Sequence, residues 1–128
     1  MIDKRLLKIA SNTEFYGLKN DYTYKTNLKN SICGDKISIE ISLKKNTIQE
    51  LRYETEACIF CQASASTLAN IAKNTNLGDL RKNLSKYLNL SKKVPKKFNN
   101  LTYLLKDKYM NRKDCILLPF KAFYKAIK

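Results

Sequence analysis

The nine residues KISIEISLK constrain the fold of this chain more than any other segment. Their apolar residues alternate strictly with polar ones, which predicts a strand with one buried face. The alternating residues are Ile37, Ile39, Ile41 and Leu43. After a short turn at Asn46, the segment IQELRYETEA alternates in the same way through Leu51, Tyr53 and Thr55. The two segments together predict an antiparallel β-hairpin.

The segments on either side of this hairpin complete the predicted architecture. DYTYKTNLKN, before it, has the alternation of an edge strand, and the first ten residues or so have the spacing of a short helix. In that helix the predicted buried positions are Ile2, Leu6, Leu7 and Ala10. From about Phe60 the period changes to that of an amphipathic helix. Its predicted stripe is Ala65, Leu68, Ala69 and Ala72.

Further helical patterns follow towards the end of the chain. Leu80, Leu84, Tyr87 and Leu88 mark one helix, and a short helix is expected around Leu101 to Leu105. A last helical stripe contains Ile116, Phe120, Phe123 and Ile127, with Pro119 expected in its first turn. The sequence therefore predicts a single α+β domain over residues 1–128. We expect a small antiparallel three-stranded sheet with helices packed on one face.

The composition is basic, with 25 lysine and arginine residues against 11 acidic ones and a net charge of +14. The lysines are spread along the chain, with the densest cluster in LSKKVPKK, which has the composition of a solvated loop. Such a distribution does not favour a nucleic-acid surface, although it can steer an acidic protein partner. No apolar run approaches the roughly 18–20 residues of a membrane span. We expect a soluble, cytoplasmic protein that does not engage membranes.

The chain has four cysteines, Cys33, Cys58, Cys61 and Cys115, and no histidine. The absence of histidine excludes Ser-His and Cys-His mechanisms and every zinc site that uses imidazole. Without a secretion signal we expect reduced thiols, so metal binding or thiol chemistry is favoured over disulfides. Any metal in this chain must be held by sulfur and carboxylate ligands.

Three of these cysteines fall at junctions between predicted elements. Cys33 and Asp35, at positions i and i+2 before the long strand, can point to the same side. Cys58 ends the next strand and Cys115 begins the last helix, where the helix dipole favours a thiolate and Arg112 adds positive charge. If these junctions lie at one end of the domain, they form a tetrahedral site of three sulfurs and one oxygen.

In their order these segments resemble a known family. ICGDKISIEISL, ACIFCQASASTLANIA and NRKDCILLPFKAFYKAI are similar to the motifs of the iron–sulfur cluster assembly scaffolds of the IscU, NifU N-terminal and SufU family. The resemblance implies a site of Cys33, Asp35, Cys58 and Cys115. It is closer to SufU-like proteins, because Asp114 replaces the histidine of IscU and Arg112 lies three residues before the last cysteine. The segment from about Leu84 to Asn100 fits the SufU insertion.

This resemblance implies a function in cluster assembly. Such a protein accepts persulfide sulfur from a cysteine desulfurase, assembles a transient [2Fe–2S] cluster, or does both, and passes it to apo iron–sulfur acceptor proteins. It implies Zn²⁺ in a SufU-like resting site, or iron. The first sulfur acceptor would be Cys33 in the SufU pattern and Cys115 in the IscU pattern. We expect an accessory protein to the desulfurase rather than an enzyme that turns over a small molecule.

Two other functions are compatible with parts of the sequence. Cys58 and Cys61 have the spacing of a dithiol redox site at a strand-to-helix junction, but that function leaves Cys33, Asp35 and Cys115 unused. The charge alone suggests a basic nucleic-acid-binding zinc domain. Cys61 itself is interpreted either as a small buried core residue or as an accessory ligand or resolving thiol.

Overall fold

A computed structural model describes residues 4–30, 34–88 and 99–127 of the chain. It has an α+β architecture with one antiparallel sheet in the strand order β1-β2-β3-β4. The strands are β1 (Tyr24–Lys29), β2 (Lys36–Lys44), β3 (Thr47–Glu56) and β4 (Thr75–Asn76). The helices are α1 (Lys4–Ser11), α2 (Ile59–Ala72), α3 (Leu77–Leu88), α4 (Asn99–Leu104) and α5 (Lys113–Ile127), with a 3₁₀ helix at Asp107–Arg112. Within the described ranges, no helix has the length and apolar character to cross a bilayer.

The predicted hairpin forms the centre of the sheet. Ile39 pairs with Tyr53 of β3 on one side and with Thr26 of β1 on the other. Ile39 and Tyr53 are fully buried, as the alternating pattern predicts. The two strands are joined at Lys45, whose φ of 56° is the left-handed conformation that tight hairpins use. The hairpin and the edge strand β1 are therefore confirmed.

The helices cover one face of this sheet. α2 packs against β3, and α5 packs against β1 and β2. α1 and α4 lie on α2, and α3 lies on α5. The core between the layers includes Ile37, Ile41, Leu68, Phe120 and Phe123, all at most 2% exposed. The predicted fold class is confirmed, and the sheet has four strands instead of three.

The fourth strand and the character of α2 differ from the predictions. β4 is a two-residue strand that pairs with Thr47 and Ile48 at the start of β3, and two residues are too few to show an alternating pattern. α2 is not amphipathic, because 11 of its 14 residues are buried. Its alanines and serines let α1, α5 and the sheet approach it from several sides.

Two predicted positions at the ends of the chain were wrong. Leu7 is 50% exposed, because the buried face of α1 is formed by Leu6, Ile9 and Ala10. Pro119 lies inside α5 as its seventh residue, because α5 already begins at Lys113, directly after the 3₁₀ helix. The predicted lysine-rich loop LSKKVPKK, residues 90–97, lies outside the described residues.

Candidate metal centre

The hairpin register brings Asp35 and Cys58 together at one end of the sheet. Lys36, the first residue of β2, pairs with Glu56, the last residue of β3. Asp35 lies one residue before this pair and Cys58 lies two residues after it. The backbone N–H of Cys58 donates to Asp35 Oδ1 over 3.3 Å. Two residues that are 23 positions apart in sequence are thus held side by side.

Backbone hydrogen bonds from Asn30 and Gly34 fix the main chain at Asp35 from its other side. The N–H of Asn30 donates to the carbonyl of Asp35 at 2.7 Å, and the N–H of Gly34 donates to the carbonyl of Asn30 at 2.8 Å. Gly34 has a φ of 78°, which favours glycine. A Cβ at Gly34 would meet nothing within 4 Å, so the requirement for glycine is conformational and not steric.

The third residue of the centre, Cys115, comes from the first turn of α5. α5 is fixed to α2 close to this point, because the buried hydroxyl of Ser64 donates to the carbonyl of Ile116. Since Ile116 is the next residue after Cys115, this hydrogen bond sets the position of the thiol relative to α2. This role of Ser64 was not predicted from the sequence. The signal that could have indicated it is a serine inside a helix of small residues.

The ligand atoms of Asp35, Cys58 and Cys115 all lie within 4.8 Å of one another. Asp35 is 7% exposed and Cys115 is 4% exposed, whereas Cys58 is only partly buried. With zinc–sulfur bonds of about 2.3 Å, the ligands of a tetrahedral site lie about 3.5–3.8 Å apart. The three groups therefore approach the spacing of a metal site and would need to close by only about 1 Å.

The second carboxylate oxygen of Asp35 tests whether a cation fits this centre. Asp35 Oδ2 is buried and has no hydrogen-bond partner among the described residues. A buried oxygen without a partner costs about 1–3 kcal/mol, and more when it carries charge. A metal ion between Asp35 and the two thiols would remove this cost, so the donor set fits a thiophilic cation.

Two helix N-termini also favour negative charge at this centre. Cys58 is the N-cap residue of α2 and makes no side-chain capping bond. Cys115 lies in the first turn of α5. The N-terminal end of each helix carries roughly half a positive charge, which stabilises anions within the first turn. The arrangement thus partly compensates the repulsion among two thiolates and a carboxylate.

The other predicted site residues occupy different positions. Arg112 is exposed and its guanidinium lies 5.6 Å from the centre of the Phe60 ring, in the first turn of α2. Cys61 is fully buried and does not belong to the group formed by Asp35, Cys58 and Cys115. Cys33, the fourth predicted ligand, lies outside the described residues. The three cysteines within the described ranges are thiols.

Comparisons with known proteins place these features in a family. The model of the NifU-like N terminal domain family matches residues 3–118. A Thermotoga maritima protein named iron–sulfur cluster assembly scaffold protein IscU is 24% identical over 136 aligned positions, covering 100% of this chain and 93% of that protein.

Two solved structures share the fold over nearly the whole chain. One is a protein of Fervidobacterium islandicum described as a candidate iron–sulfur cluster assembly scaffold for the SUF system. It has a TM-score of 0.83 and 20% identity, covering 99% of this chain and 96% of that one. The other is the N-terminal part of a NifU-like protein from Brucella abortus, with a TM-score of 0.78 and 21% identity, covering 98% and 90%.

Proposed function

Because this chain belongs to the NifU-like N terminal domain family, we propose that it is an iron–sulfur cluster assembly scaffold. Its site consists of Cys33, Asp35, Cys58 and Cys115. The observation that carries the proposal is the buried Oδ2 of Asp35, which has no hydrogen-bond partner among the described residues and whose carboxylate lies within 4.8 Å of the thiols of Cys58 and Cys115. Oδ1 accepts from the Cys58 N–H, so the carboxylate is held in place while Oδ2 has the surroundings of a metal ligand.

The donor set suits a site that must both hold and release its cargo. Thiolates bind zinc and iron tightly, whereas a carboxylate is a harder and more labile ligand through which the site can open. A resident Zn²⁺ would supply charge that holds the thiols deprotonated until sulfur arrives. The same residues would hold iron and sulfide when the cargo is a [2Fe–2S] cluster.

Sulfur enters by thiol–persulfide exchange with a cysteine desulfurase. A thiolate of this chain attacks the outer sulfur of the desulfurase persulfide, so a new S–S bond forms on this chain. The S–S bond on the desulfurase breaks, and its cysteine leaves as a thiolate. Cys33 and Cys115 are the two candidate acceptors. The exposed Arg112 on the Phe60 ring supports this step by attracting the anionic persulfide.

The partners of the scaffold are a cysteine desulfurase and apo iron–sulfur acceptor proteins. Within the part of the chain that the structure describes, Cys58 is partly exposed, so a partner can reach the cysteine centre. The net charge of +14 accelerates association with partners whose surfaces are acidic. Cys61 is fully buried, which disfavours a dithiol redox function because exchange requires an accessible sulfur.

The test is cluster assembly without oxygen, with Cys61→Ser as a control for Cys58→Ser. Both substitutions change one thiol in the first turns of the same helix, but only Cys58 belongs to the ligand group. Protein is incubated with ferrous iron, cysteine and a cysteine desulfurase. Iron and acid-labile sulfide are then measured per chain after desalting. We expect wild type and Cys61→Ser to retain both, and Cys58→Ser to retain neither.

Two results would overturn the proposal. If wild type retains no zinc and also retains no iron or sulfide, the family resemblance describes ancestry and not function. If Cys61→Ser and Cys58→Ser lose cluster equally while remaining folded by circular dichroism, the two cysteines act as a pair. A dithiol redox function would then replace the scaffold function as the explanation of these cysteines.

A further inference from the structure

A groove distinct from the cysteine centre runs between α1 and α2. It has a volume of about 860 Å³. One wall runs along a single face of α1 from Arg5 and on to Asn12, directly after that helix, and the other is a face of the C-terminal half of α2 around Asn70. Lys8 and Lys73 also line it, and Asn100 of α4 closes one end. We call this feature the basic groove.

The charge of the basic groove has one sign. Its lining includes Arg5, Lys8 and Lys73 and contains no acidic residue. Among the ion pairs of the described residues, none uses these three cations. The groove therefore holds three positive charges that are available to an anion.

Two of the cations are held in place by aromatic rings. The Arg5 guanidinium lies 4.1 Å from the centre of the Tyr103 ring, and its Nη2 donates to Asn100 Oδ1 at 3.2 Å. Lys73 Nζ lies 5.4 Å from the centre of the Phe15 ring. Cation–π contacts of this kind are worth about 0.5–1 kcal/mol at exposed sites and restrict the side chain. Less conformational entropy is then lost when a ligand binds.

The shape and lining of the groove favour one ligand class. From Arg5 to Asn12 the first wall spans seven residue-to-residue steps, about 10 Å at the rise of a helix, so the ligand is elongated. No aromatic side chain lines the groove, which disfavours nucleotides and single-stranded nucleic acid because their bases bind by stacking. Asn12, Asn70 and Asn100 each use one amide atom in a hydrogen bond within the protein, and the second amide atom of each is of a kind that suits a peptide backbone.

The basic groove is separate from the cysteine centre. Cys58 lies at the N-terminal end of α2, and the lining of the groove on the same helix begins at Ser66, eight residues further along. At 1.5 Å per residue this separation is about 12 Å. A partner can therefore contact the groove without touching Asp35, Cys58 or Cys115.

We propose that the basic groove binds an acidic segment of a partner protein. Charge complementarity selects this occupant over the chain's own lysine-rich segment. That segment, residues 89–98, carries Lys92, Lys93, Lys96 and Lys97 and no acidic residue, so like charges oppose its binding there. A partner held in this way remains tethered while the cysteine centre, about 12 Å away along α2, stays accessible.

The test measures binding of a fluorescein-labelled polyglutamate peptide by fluorescence anisotropy at low salt, using the full chain. The groove variant is Lys8→Glu/Lys73→Glu, and the control is Lys82→Glu/Lys121→Glu. The control changes net charge by the same amount at two exposed lysines that do not line the groove. We expect the groove variant to bind about tenfold more weakly or worse, and the control to lose about twofold or less.

Three results would overturn the proposal. They are absence of binding to wild type, equal weakening in both double variants, and displacement of the peptide by inorganic triphosphate at a lower concentration than by unlabelled polyglutamate. The last would assign the groove to a phosphate ligand. If charge reversal perturbs folding, the neutral variant Lys8→Gln/Lys73→Gln is measured in its place, provided that its thermal melt equals that of wild type. Zinc content measured on the same samples separates failure of the groove from failure of the cysteine centre.

Discussion

Two buried carboxylates lie on or next to the same strand but have different surroundings. Glu40, in the middle of β2, is 2% exposed, and Asp35, just before β2, is 7% exposed. Oε1 of Glu40 accepts hydrogen bonds from the backbone N–H groups of Lys19 and Asn20, at 2.9 and 3.1 Å. Its Oε2 lies 3.8 Å from Lys25 Nζ. Among the described residues, the carboxylate of Asp35 accepts one hydrogen bond of 3.3 Å, and the thiols of Cys58 and Cys115 lie within 4.8 Å of it.

The difference indicates separate roles for the two groups. Glu40 fixes the segment before β1 onto the outer face of the sheet, and its charge is opposed by a cation in the cross-strand position of β1. Each carboxylate has one buried oxygen with no hydrogen-bond partner among the described residues, but Glu40 forms an ion pair with Lys25, whereas none of the ion pairs of the described residues includes Asp35. Burial alone therefore does not identify a ligand. A buried carboxylate whose neighbours are themselves metal-binding groups is a candidate ligand.

The largest effect is expected for Cys58→Ser. Loss of a direct ligand should weaken zinc retention by at least about a hundredfold, because even substitutions behind the ligands cost about 10–100-fold. Competition with a chromogenic zinc chelator measures this. Cys61→Ser serves as the matched control and should retain wild-type affinity, and an equal loss in Cys61→Ser would contradict the assignment of ligands.

Glu40→Gln should produce the next largest effect, on stability alone. The substitution removes the charge that strengthens two backbone hydrogen bonds and the attraction to Lys25. We expect the free energy of unfolding of metal-free protein to fall by about 2 kcal/mol, roughly a thirtyfold change in the equilibrium. Urea denaturation in the presence of a chelator measures it. Glu54→Gln, at an exposed residue whose carboxylate accepts from the Leu18 N–H, should cost about 0.5 kcal/mol or less.

Asp35→Ala should have the opposite effect to Glu40→Gln: it should change the transfer of metal or cluster and leave stability almost unchanged. It removes one long hydrogen bond together with an unpartnered charged oxygen, so the unfolding free energy of metal-free protein should change by less than about 1 kcal/mol. Because the labile ligand is gone, bound metal or cluster should persist longer and pass to an apo acceptor more slowly, by about tenfold. The rate of transfer to an apo ferredoxin measures this. An unchanged rate would remove Asp35 from the mechanism.

The smallest effect is expected for Lys25→Gln. Its Nζ lies 3.8 Å from Glu40 and its side chain is 30% exposed, so the pair is worth about 0.5 kcal/mol. Urea denaturation at low and at high salt measures this contribution, which should shrink as salt rises. Lys29→Gln, at an exposed residue of the same strand, is the control. A cost above about 2 kcal/mol would show that Glu40 depends on its cation more than on its backbone donors.

The sequence predicts much of the fold, because the alternation around Ile39 and the helical spacing around Phe120 are local patterns. It could not show β4, whose two residues are set by their position beside Thr47 and Ile48. The burial of α2 on nearly all sides was also unpredictable, because small residues are compatible with either an amphipathic or a central helix. That property depends on what packs against the helix.

The candidate site was partly predictable for a similar reason. Cys58 and Cys115 lie at helix N-termini, and Asp35 lies before β2, as the sequence predicts. Their convergence depends on the register of β2 with β3 and on the packing of α2 against α5, which are long-range features. The hydrogen bond from Ser64 to the carbonyl of Ile116 and the unpartnered oxygen of Asp35 become visible only in three dimensions.

X-ray absorption at the zinc edge, on zinc-loaded protein prepared without oxygen, tests the ligand set directly. We expect about one zinc per chain with three sulfur neighbours near 2.3 Å and one oxygen near 2.0 Å. These distances correspond to thiolates of Cys33, Cys58 and Cys115 and the carboxylate of Asp35. Four sulfur neighbours would make Cys61 a ligand in place of Asp35. A shell of oxygen alone would contradict the cysteine centre altogether.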